Sequence, residues 1–226
     1  MKNIVITGAN RGLGLAFAQH YLNSSCKVWA CYRNDPGKLS TIANPHLTLI
    51  QWDISQTLSA ESLSKLPDQI DLLINNAGVY GPSKANGQSL DNINAQTMMD
   101  VFEVNCVGAL HVVQTLKNKL LRARGVIANI SSKMGSSEDN TSGGCYAYRA
   151  SKAALVIVSK SMAVDLEPQG VRVITLHPGW VKTDMTGHTG EITAEESVSG
   201  MCKVIENIDQ YTPGDFIDWE QQQVPY

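Results

Sequence analysis

Tyr148 and Lys152 are the residues whose types and spacing point first to chemistry. They lie four positions apart in residues 147–166, where the spacing of apolar side chains predicts a helix. Residues four apart on a helix share a face, so the lysine ammonium would lie beside the tyrosine phenol. A neighbouring positive charge favours the phenolate, and we expect the pKa of Tyr148 to fall toward the working pH. Such a tyrosine can exchange a proton with a carbonyl or alcohol oxygen, although the same pair also occurs as ordinary surface side chains.

A glycine-rich turn near the amino terminus predicts a dinucleotide site. Residues 4–7 form a short apolar run typical of a buried strand, and the turn Gly8-Ala9-Asn10-Arg11-Gly12-Leu13-Gly14 follows directly. Leu13, Phe17 and Tyr21 then recur at helical spacing. Glycines in such a turn let the backbone approach a ligand, and the amides of the following helix point at a phosphate. A plain tight turn is the alternative, but the position after the first strand favours binding.

The end of the second predicted strand, residues 27–32, indicates which dinucleotide binds. An acidic residue there bonds the ribose hydroxyls of NAD, whereas an arginine accommodates the 2′-phosphate of NADP. The strand ends without an acid, and Arg33 and Arg11 place two guanidinium groups at the same corner. This pattern predicts NADP(H) rather than NAD(H), with a solvated loop charge as the alternative for Arg33. Asp35 is counter-evidence, but its place before Pro36 is typical of a turn residue.

Polar residues follow several other strands and would gather at the same edge of a sheet. Asp53 ends the third strand, where it could bond an adenine amine or cap the next helix. The sequence Asn75-Asn76-Ala77-Gly78 closes the fourth strand, and Ser131 and Ser132 close the fifth. Asn105 lies in an otherwise apolar stretch and needs hydrogen-bonding partners, so it is either a structural brace or part of a water-holding site.

The order of elements predicts the fold. Strands are predicted at residues 4–7, 27–32, 47–53, 70–74, 126–130, 171–176 and 216–219, and further helices at residues 55–66, 95–121 and 194–207. Residues 79–91 and 133–144 are predicted as loops. Strands that alternate with helices form a parallel sheet covered on both faces. We therefore expect a doubly wound α/β Rossmann fold with a mostly parallel seven-stranded sheet, and one domain over residues 1–226.

Composition excludes several classes of protein. Of 226 residues, 43% are apolar and 17% are charged, and the net charge of −3 comes without a basic block, which argues against nucleic acid or an anionic membrane as a partner. The apolar run at residues 4–6 is too short for a signal peptide, and no stretch approaches a membrane span. The five cysteines are scattered and form no Cys-x-x-Cys pair: Cys26, Cys31, Cys106, Cys145 and Cys202. A cytoplasmic protein without a bound metal is expected.

The order and spacing of these motifs resemble the classical short-chain dehydrogenase/reductase family over nearly the whole chain. The motifs are Thr7-Gly8-x-x-x-Gly12-x-Gly14, Asp53, Asn75-Asn76-Ala77-Gly78, Asn105, Ile130-Ser131-Ser132, Tyr148-x-x-x-Lys152 and Pro178-Gly179-x-Val181-x-Thr183. Within the family, the glycine turn, the short chain and residues 177–185 most resemble the sniffer and C-factor group. Members of that group are similar to NADPH-dependent carbonyl reductases, and some are linked to signalling.

The resemblance implies a role for each candidate catalytic residue. Tyr148 would be the general acid in carbonyl reduction and the base in the reverse direction. Lys152 would lower the pKa of Tyr148 and bind the nicotinamide ribose. Ser132 would hydrogen-bond the substrate carbonyl, and Asn105 would hold a water that connects Lys152 to solvent. The family usually uses the second serine of such a pair, which favours Ser132 over Ser131, although position alone leaves both open.

The resemblance also implies the cofactor contacts and the substrate. The cofactor-binding residues would be Gly8, Asn10, Arg11, Gly12, Leu13, Gly14, Arg33, Asp53, Ile54, Asn76, Ala77, Gly78, Tyr148, Lys152, Pro178, Gly179, Val181 and Thr183. The family's substrate lid corresponds to residues 183–194, which are few, so the pocket should be open or shallow and should accept small aldehydes, ketones or quinones. Candidate wall residues are Val79, Met134, Tyr146, Trp180 and Met185.

Three expectations complete the interpretation. A dinucleotide-binding signalling or sensor protein, in which turnover is secondary, is the alternative function. Family members pair through two long helices, here residues 95–121 and 147–166, so a homodimer or homotetramer is plausible. His177, directly before a proline, is predicted to be a packing or turn residue rather than a base.

Overall fold

A seven-stranded sheet organises the structure, a computed structural model that describes residues 1–226 except for the side chain of Lys84. The strands are β1 Asn3–Ile6, β2 Lys27–Tyr32, β3 Leu47–Gln51, β4 Leu72–Asn75, β5 Val126–Ile130, β6 Arg172–His177 and β7 Phe216–Asp218. Their order is β3-β2-β1-β4-β5-β6-β7, and every pairing between them is parallel. The predicted doubly wound fold is confirmed, because the order reverses direction after β1.

Helices connect the strands. They are α1 Gly12–Asn23, α2 Ala60–Lys65, α3 Lys84–Gly87, α4 Ala95–Phe102, α5 Ala109–Ala123, α6 Tyr146–Leu166 and α7 Ala194–Glu206. A π-helical turn, Glu103–Gly108, joins α4 to α5. Short 3₁₀ turns lie at Gly37–Thr41, Lys133–Gly135, Glu167–Gln169, Asp184–Thr186 and Ile208–Gln210.

The sheet is buried on both faces, as the predicted helix placement requires. Alternate residues of a strand point to opposite faces. Ile4 and Ile6 of β1 accordingly belong to the apolar cluster that includes Phe17 of α1. Val5 belongs to the second cluster, which includes Leu116 of α5. Burial on both faces explains why these strands are continuous apolar runs rather than alternating ones.

Three predicted element boundaries are wrong. The helix expected at residues 55–66 is confined to α2, because Asp53 accepts hydrogen bonds from the backbone amide and hydroxyl of Ser55 and closes a turn there. Ser59 then caps α2 by accepting the Ser62 amide at 3.1 Å. The loop predicted at residues 79–91 contains α3. The single helix expected at residues 95–121 is divided by the π-helical turn.

The π-helical turn brings α5 close to the loop that follows β3. A Cβ at Gly108 would lie 2.8 Å from Ile54 Cδ1, so glycine lets the two segments approach without a shift of the Ile54 side chain. π-Helical turns inside helices commonly occur at functional sites. This one carries Asn105, a candidate site residue.

The described residues contain neither a membrane-spanning helix nor a cluster of metal ligands. Among the described residues, none of the helices combines the length and the apolar character needed to cross a membrane. Within the same part of the structure, no three His, Cys, Asp or Glu side chains are grouped so that they could hold a metal ion. The five cysteines are buried free thiols.

Candidate active site

Tyr148 and Lys152 lie on the first two turns of α6, against the carboxyl end of β5. Both side chains are buried, with 8% of Tyr148 and 5% of Lys152 exposed. Lys152 Nζ donates a hydrogen bond to the carbonyl of Ile130 at 2.8 Å and lies 5.9 Å from the centre of the Tyr148 ring. The helical spacing therefore brings the ammonium and the phenol to one site, as predicted.

Burial controls the protonation of both groups. Removal from water lowers the pKa of Lys152 from its ordinary 10.5 to about 8. It raises the pKa of Tyr148 from 10.0 to about 12, and a hydrogen bond with Ser132 offsets only part of this. The expected fall in the pKa of Tyr148 is therefore wrong for this structure. The phenolate loses more from leaving water than it gains from Lys152, whose ammonium is bonded to Ile130 instead.

The two adjacent serines have different partners. Ser131 Oγ is buried and donates to the backbone carbonyl of Lys152 at 2.9 Å, so it ties β5 to α6. Ser132 Oγ accepts from the amide of Met134 at 3.2 Å, and the Ser132 side chain is close enough to the Tyr148 hydroxyl to lower its pKa. The structure thus brings Ser132 rather than Ser131 to the phenol.

Asn105 connects three segments around Tyr148. Its Oδ1 accepts from the amide of Val79 at 2.8 Å, and its Nδ2 donates to the carbonyl of Val79 at 2.8 Å and to Ser151 Oγ at 2.9 Å. Ser151 Oγ in turn donates to the carbonyl of Tyr148 at 2.8 Å. These bonds confirm the interpretation of Asn105 as a brace, and its role in holding water stays a prediction.

The glycine turn is fastened to the end of β4. Thr7 Oγ1 accepts from the amides of Asn76 and Ala77 at 3.0 Å each, and Asn76 Nδ2 donates to the carbonyls of Thr7 and Gly8 at 3.0 Å. Gly8 has φ +62°, and a Cβ there would lie 2.8 Å from Ala77 Cα. A Cβ at Gly14 would meet the carbonyl of Gly8. Only glycine therefore permits this close approach of the β1 and β4 ends.

Gly78 packs closely on the catalytic candidates. A Cβ at Gly78 would lie 3.1 Å from Asn105 Oδ1 and 3.5 Å from Lys152 Nζ. Glycine therefore lets the backbone after β4 approach both side chains. In open α/β sheets a cleft lies outside the strand ends where the order reverses, and here the ends of β1 and β4 border it.

The charged residues beyond the glycine turn are exposed. Arg11 lies 3.5 Å from Asp184, and the side chain of Arg11 is 68% exposed. Arg33 is exposed, and its backbone carbonyl accepts a hydrogen bond from Gln51 Nε2 at 3.2 Å. Asp35 Oδ1 accepts from the Gly37 amide at 2.9 Å, which confirms it as a turn residue.

Residues after β6 complete the rim of the cleft. Val181 forms a bridge with Ile192, and Thr183 Cγ2 would be 3.4 Å from a Cβ at Gly12. Gly179 has φ +81° and a backbone that passes close to Trp219. The other candidate residues contact different parts of the fold. Asn10 Nδ2 donates to the carbonyl of Asp35, Leu13 packs on the first cluster and Ile54 belongs to the second. The carbonyl of Pro178 accepts from Ser197 Oγ.

His177 is a packing residue, as predicted. Its Nδ1 accepts the amide of Lys133 at 3.2 Å, and burial lowers its pKa to about 4. The imidazole is therefore neutral at ordinary pH. It holds the turn that follows Ser132 against the end of β6.

Comparison with known proteins identifies the family. Residues 2–193 match the model of the short chain dehydrogenase family. The chain belongs to the short chain dehydrogenase family. Its relatives include the C-signal protein of Myxococcus xanthus, which is 41% identical over 158 residues, covering 70% of this chain and 93% of that protein.

Two solved structures resemble this short chain dehydrogenase over its full length. One is an NADPH-bound carbonyl reductase from chicken fatty liver, with a TM-score of 0.91 and 30% identity, covering 100% of this chain and 99% of that one. The other is the carbonyl reductase Sniffer of Drosophila melanogaster, with a TM-score of 0.89 and 29% identity, covering 100% of both chains. The chain is therefore an oxidoreductase related to the sniffer and C-factor group.

Three residues that neither the motifs nor the apolar spacing indicate contact Tyr148 in this short chain dehydrogenase. The ring of Tyr80 lies 4.8 Å from that of Tyr148, centre to centre. Gln88 accepts the Tyr148 amide, and Ser151 donates to its carbonyl. Tyr80 and Gln88 lie in a stretch whose polar, glycine-containing composition predicts only loop, and Ser151 lies inside the motif as one of its unspecified positions. No periodicity of the sequence marks any of the three.

The pKa of Lys152 predicts how stability depends on pH. The folded protein releases this proton near pH 8, whereas the unfolded chain keeps it up to 10.5, so the unfolded chain binds more protons between the two values. The contribution of Lys152 to stability is therefore complete above pH 10.5, declines as pH falls, and is lost below about 8. Relative to Lys152→Met, the parent protein should gain on the order of 3 kcal/mol in free energy of unfolding across this range.

Chemical denaturation of both proteins from pH 7 to 10.5 measures this difference. Lys160→Met is the matched control, because Lys160 lies on the same helix and donates to the carbonyl of Pro213 at 2.7 Å but is exposed. The free energy of unfolding of Lys160→Met should depend on pH as that of the parent does. Stabilities of the parent and Lys152→Met that run parallel over the range would contradict the burial argument.

Proposed function

We propose that this short chain dehydrogenase is an NADPH-dependent carbonyl reductase that acts on small aldehydes, ketones or quinones. One observation carries the proposal: the buried side chains of Tyr148 and Lys152 lie together at the carboxyl edge of the sheet, with Ser132 close enough to lower the pKa of the phenol. Ligands of open α/β sheets bind at this edge, next to the point where the strand order reverses. The likeness to an NADPH-bound carbonyl reductase supports the same assignment.

The residues around the cleft fit NADPH. Gly8, Gly14 and Gly78 let the ends of β1 and β4 pack closely on the start of α1 and on Lys152, since a Cβ at each would meet a neighbouring atom. The start of α1 would direct backbone amides at a pyrophosphate bound beside these strand ends. Arg33 is an exposed guanidinium group next to the end of β2, which carries no competing acid, and Arg11 is exposed but paired with Asp184 at 3.5 Å. We propose that Arg33 binds the 2′-phosphate. When bound, NADPH would supply the hydride that reduces the carbonyl carbon.

The chain's own residues would manage the proton. Because burial keeps the pKa of Tyr148 near 12, the phenol is protonated at neutral pH and is in the acid form that reduction needs. Ser132 and Tyr148 would both donate to the substrate oxygen, where negative charge develops, and Tyr148 would release its proton there. Lys152 would stabilise the phenolate left behind.

The shape of the rim supports small substrates. The segment after Thr183 turns back within one 3₁₀ turn, and it leaves Trp180 52% and Met185 47% exposed rather than folded over a cavity. Tyr80 joins the predicted wall residues beside Tyr148. An aromatic side chain next to the acid favours flat carbonyl compounds, because their faces can stack on it.

Assembly through the helices beside the site belongs to the same proposal. Met99 on α4 is 68% exposed, and Ile157 and Val164 on α6 are 53% and 62% exposed. Exposed apolar side chains on neighbouring helices are typical of protein–protein interfaces. We propose that two copies pair through α4, α5 and α6.

Replacement of the acid tests the proposed chemistry. Tyr148→Phe should lower kcat for NADPH-dependent carbonyl reduction at least about a hundredfold, because the variant keeps the ring but has no proton to donate. NADPH affinity should stay nearly unchanged. The measurement is NADPH oxidation with a panel of aldehydes, ketones and quinones, together with a binding titration. Tyr211→Phe, remote from the cleft, is the control and should behave like the parent. A parent protein that oxidises NADPH with no member of the panel would refute the function itself.

Replacement of Arg33 tests whether the chain prefers NADPH to NADH. Arg33→Leu should raise the KM for NADPH about tenfold or more, because a charge-assisted contact to phosphate is lost. The KM for NADH should change little. Arg122→Leu is the control, since Arg122 lies in the last turn of α5 and donates to the carbonyl of Asp68. Equal changes in KM for both cofactors would contradict the NADP assignment.

A second function is favoured by one specific observation, the 41% identity to C-signal. The alternative is a signalling or sensor protein that binds the dinucleotide and for which turnover is secondary. In this case Tyr148 would be dispensable, while the glycine turn would still be needed.

Complementation of a strain that lacks the gene separates the two functions. Gly14→Asp should abolish dinucleotide binding, since any Cβ at this position meets Gly8 and the carboxylate repels phosphate. If the chain acts as an enzyme, neither Gly14→Asp nor Tyr148→Phe should return the deletion strain to the parental phenotype. Restoration by Tyr148→Phe but not by Gly14→Asp would favour the sensor.

A further inference from the structure

The helix that carries Tyr148 begins without the usual cap. The residue before it, Cys145, has φ +51° and makes no side-chain capping bond. The first hydrogen bond of the helix runs from the Arg149 amide to the Cys145 carbonyl at 2.8 Å. The amides of the first three residues, which include Tyr148, therefore have no partner within the helix. The start of α6 must be fixed by another part of the chain.

Gln88 supplies the missing partner from 60 residues away. Its side-chain Oε1 accepts the Tyr148 amide at 3.0 Å, and its backbone carbonyl accepts the Cys145 amide at 2.8 Å. The side chain of Gln88 is 0% exposed. A fully buried amide that accepts from a helix amide replaces a local capping residue.

The same side chain holds the segment that packs on the phenol. Gln88 Nε2 donates to the carbonyls of Tyr80 and Pro82 at 2.8 and 2.7 Å. The Tyr80 ring lies 4.8 Å from that of Tyr148, and the Tyr80 hydroxyl lies 2.9 Å from Cys145 Sγ. One glutamine thus connects the backbone and the ring environment of Tyr148.

Tyr148 is consequently held at both ends of its backbone. Gln88 binds its amide, and Ser151 binds its carbonyl at 2.8 Å. We propose that Gln88 is a positioning residue for the reaction: its amide fixes the first turn of α6 and the adjoining Tyr80 segment, so that the Tyr148 hydroxyl stays where the substrate oxygen is reduced. The inference rests on the proposed carbonyl reduction.

The first variant removes the hydrogen bonds and keeps the length of the side chain. Gln88→Met should lower kcat about ten- to a hundredfold, because a small displacement of an acid from its reacting position costs this much. The KM for NADPH should stay near that of the parent, since the cofactor residues are untouched. Asn92→Leu is the matched control. Asn92 holds the same segment through Ser89 and Ala85, without a bond to α6, and its loss should leave kcat unchanged.

The second variant separates positioning from folding. In Gln88→Glu, the neutral carboxylic acid can accept from the Tyr148 amide and donate to one carbonyl, whereas the carboxylate can only accept and faces two carbonyl oxygens. Burial and these carbonyls raise the pKa of the introduced acid. Its kcat should therefore exceed that of Gln88→Met at low pH and fall as pH rises, with no such step in the parent.

Three results decide the proposal when the parent is active. A reduced kcat in Gln88→Met together with the pH-dependent recovery in Gln88→Glu supports it. A parental kcat in Gln88→Met overturns it. Loss of activity in both variants without recovery at low pH also overturns it, because the glutamine would then serve folding alone.

A readout without catalysis keeps this inference separable from the proposed function. Hydrogen exchange of the Tyr148 amide, followed by NMR, should be faster in Gln88→Met than in the parent, because its acceptor is lost. Asn92→Leu should leave this exchange unchanged. If the parent fails to reduce any carbonyl but the exchange differs as expected, the proposed function fails while the hold on Tyr148 stands. Equal exchange rates in the parent and Gln88→Met overturn the inference whatever the activity.

Discussion

The removal of one phenol and one ammonium from water, on adjacent turns of α6, is the constraint on which the rest of the site depends. Leaving a buried ion without partners costs several kcal/mol, so each group is either neutral or hydrogen-bonded. Lys152 is bonded to the carbonyl of Ile130, and Tyr148 keeps its proton beside Ser132. The end of β5 and the residue pair after it thus border both groups. Burial of this kind shifts the pKa of a group without any change in residue type.

The topology of the sheet brings these partners together. Parallel strands end at one edge, and the order β3-β2-β1-β4-β5-β6-β7 places the end of β4 beside both the glycine turn of β1 and the serines of β5. Asn76 fastens the first contact by donating to the carbonyls of Thr7 and Gly8. Ser131 fastens α6 to β5 by donating to the backbone carbonyl of Lys152. The cleft is therefore bordered by strand ends that are fixed relative to one another, which suits the alignment of acid and cofactor that we propose.

The strands and helices with regular apolar spacing could be predicted from the sequence, whereas the places where a helix is shortened or interrupted could not. The strands and the helix of Tyr148 follow from apolar spacing, because burial against a sheet imposes that spacing. The helix expected at residues 55–66 fails because the carboxylate of Asp53 bonds Ser55 and prevents the first turns from forming. The π-helical turn interrupts another helix where Asn105 bonds to Val79 and Ser151, 26 and 46 positions away. Such bonds to distant residues leave no trace in local periodicity.

The sequence by itself determined the family, the doubly wound sheet and the set of candidate residues, because motif order and apolar period are properties of the linear chain. Only the tertiary structure decided which serine meets the phenol, which way the pKa of Tyr148 moves, and that Gln88 holds the start of α6. The physical reason is the same in each case. Desolvation and hydrogen bonding depend on which atoms surround a group in the folded protein, and residues distant in the sequence supply those atoms: Ile130 lies 22 positions from Lys152, and Gln88 lies 60 from Tyr148.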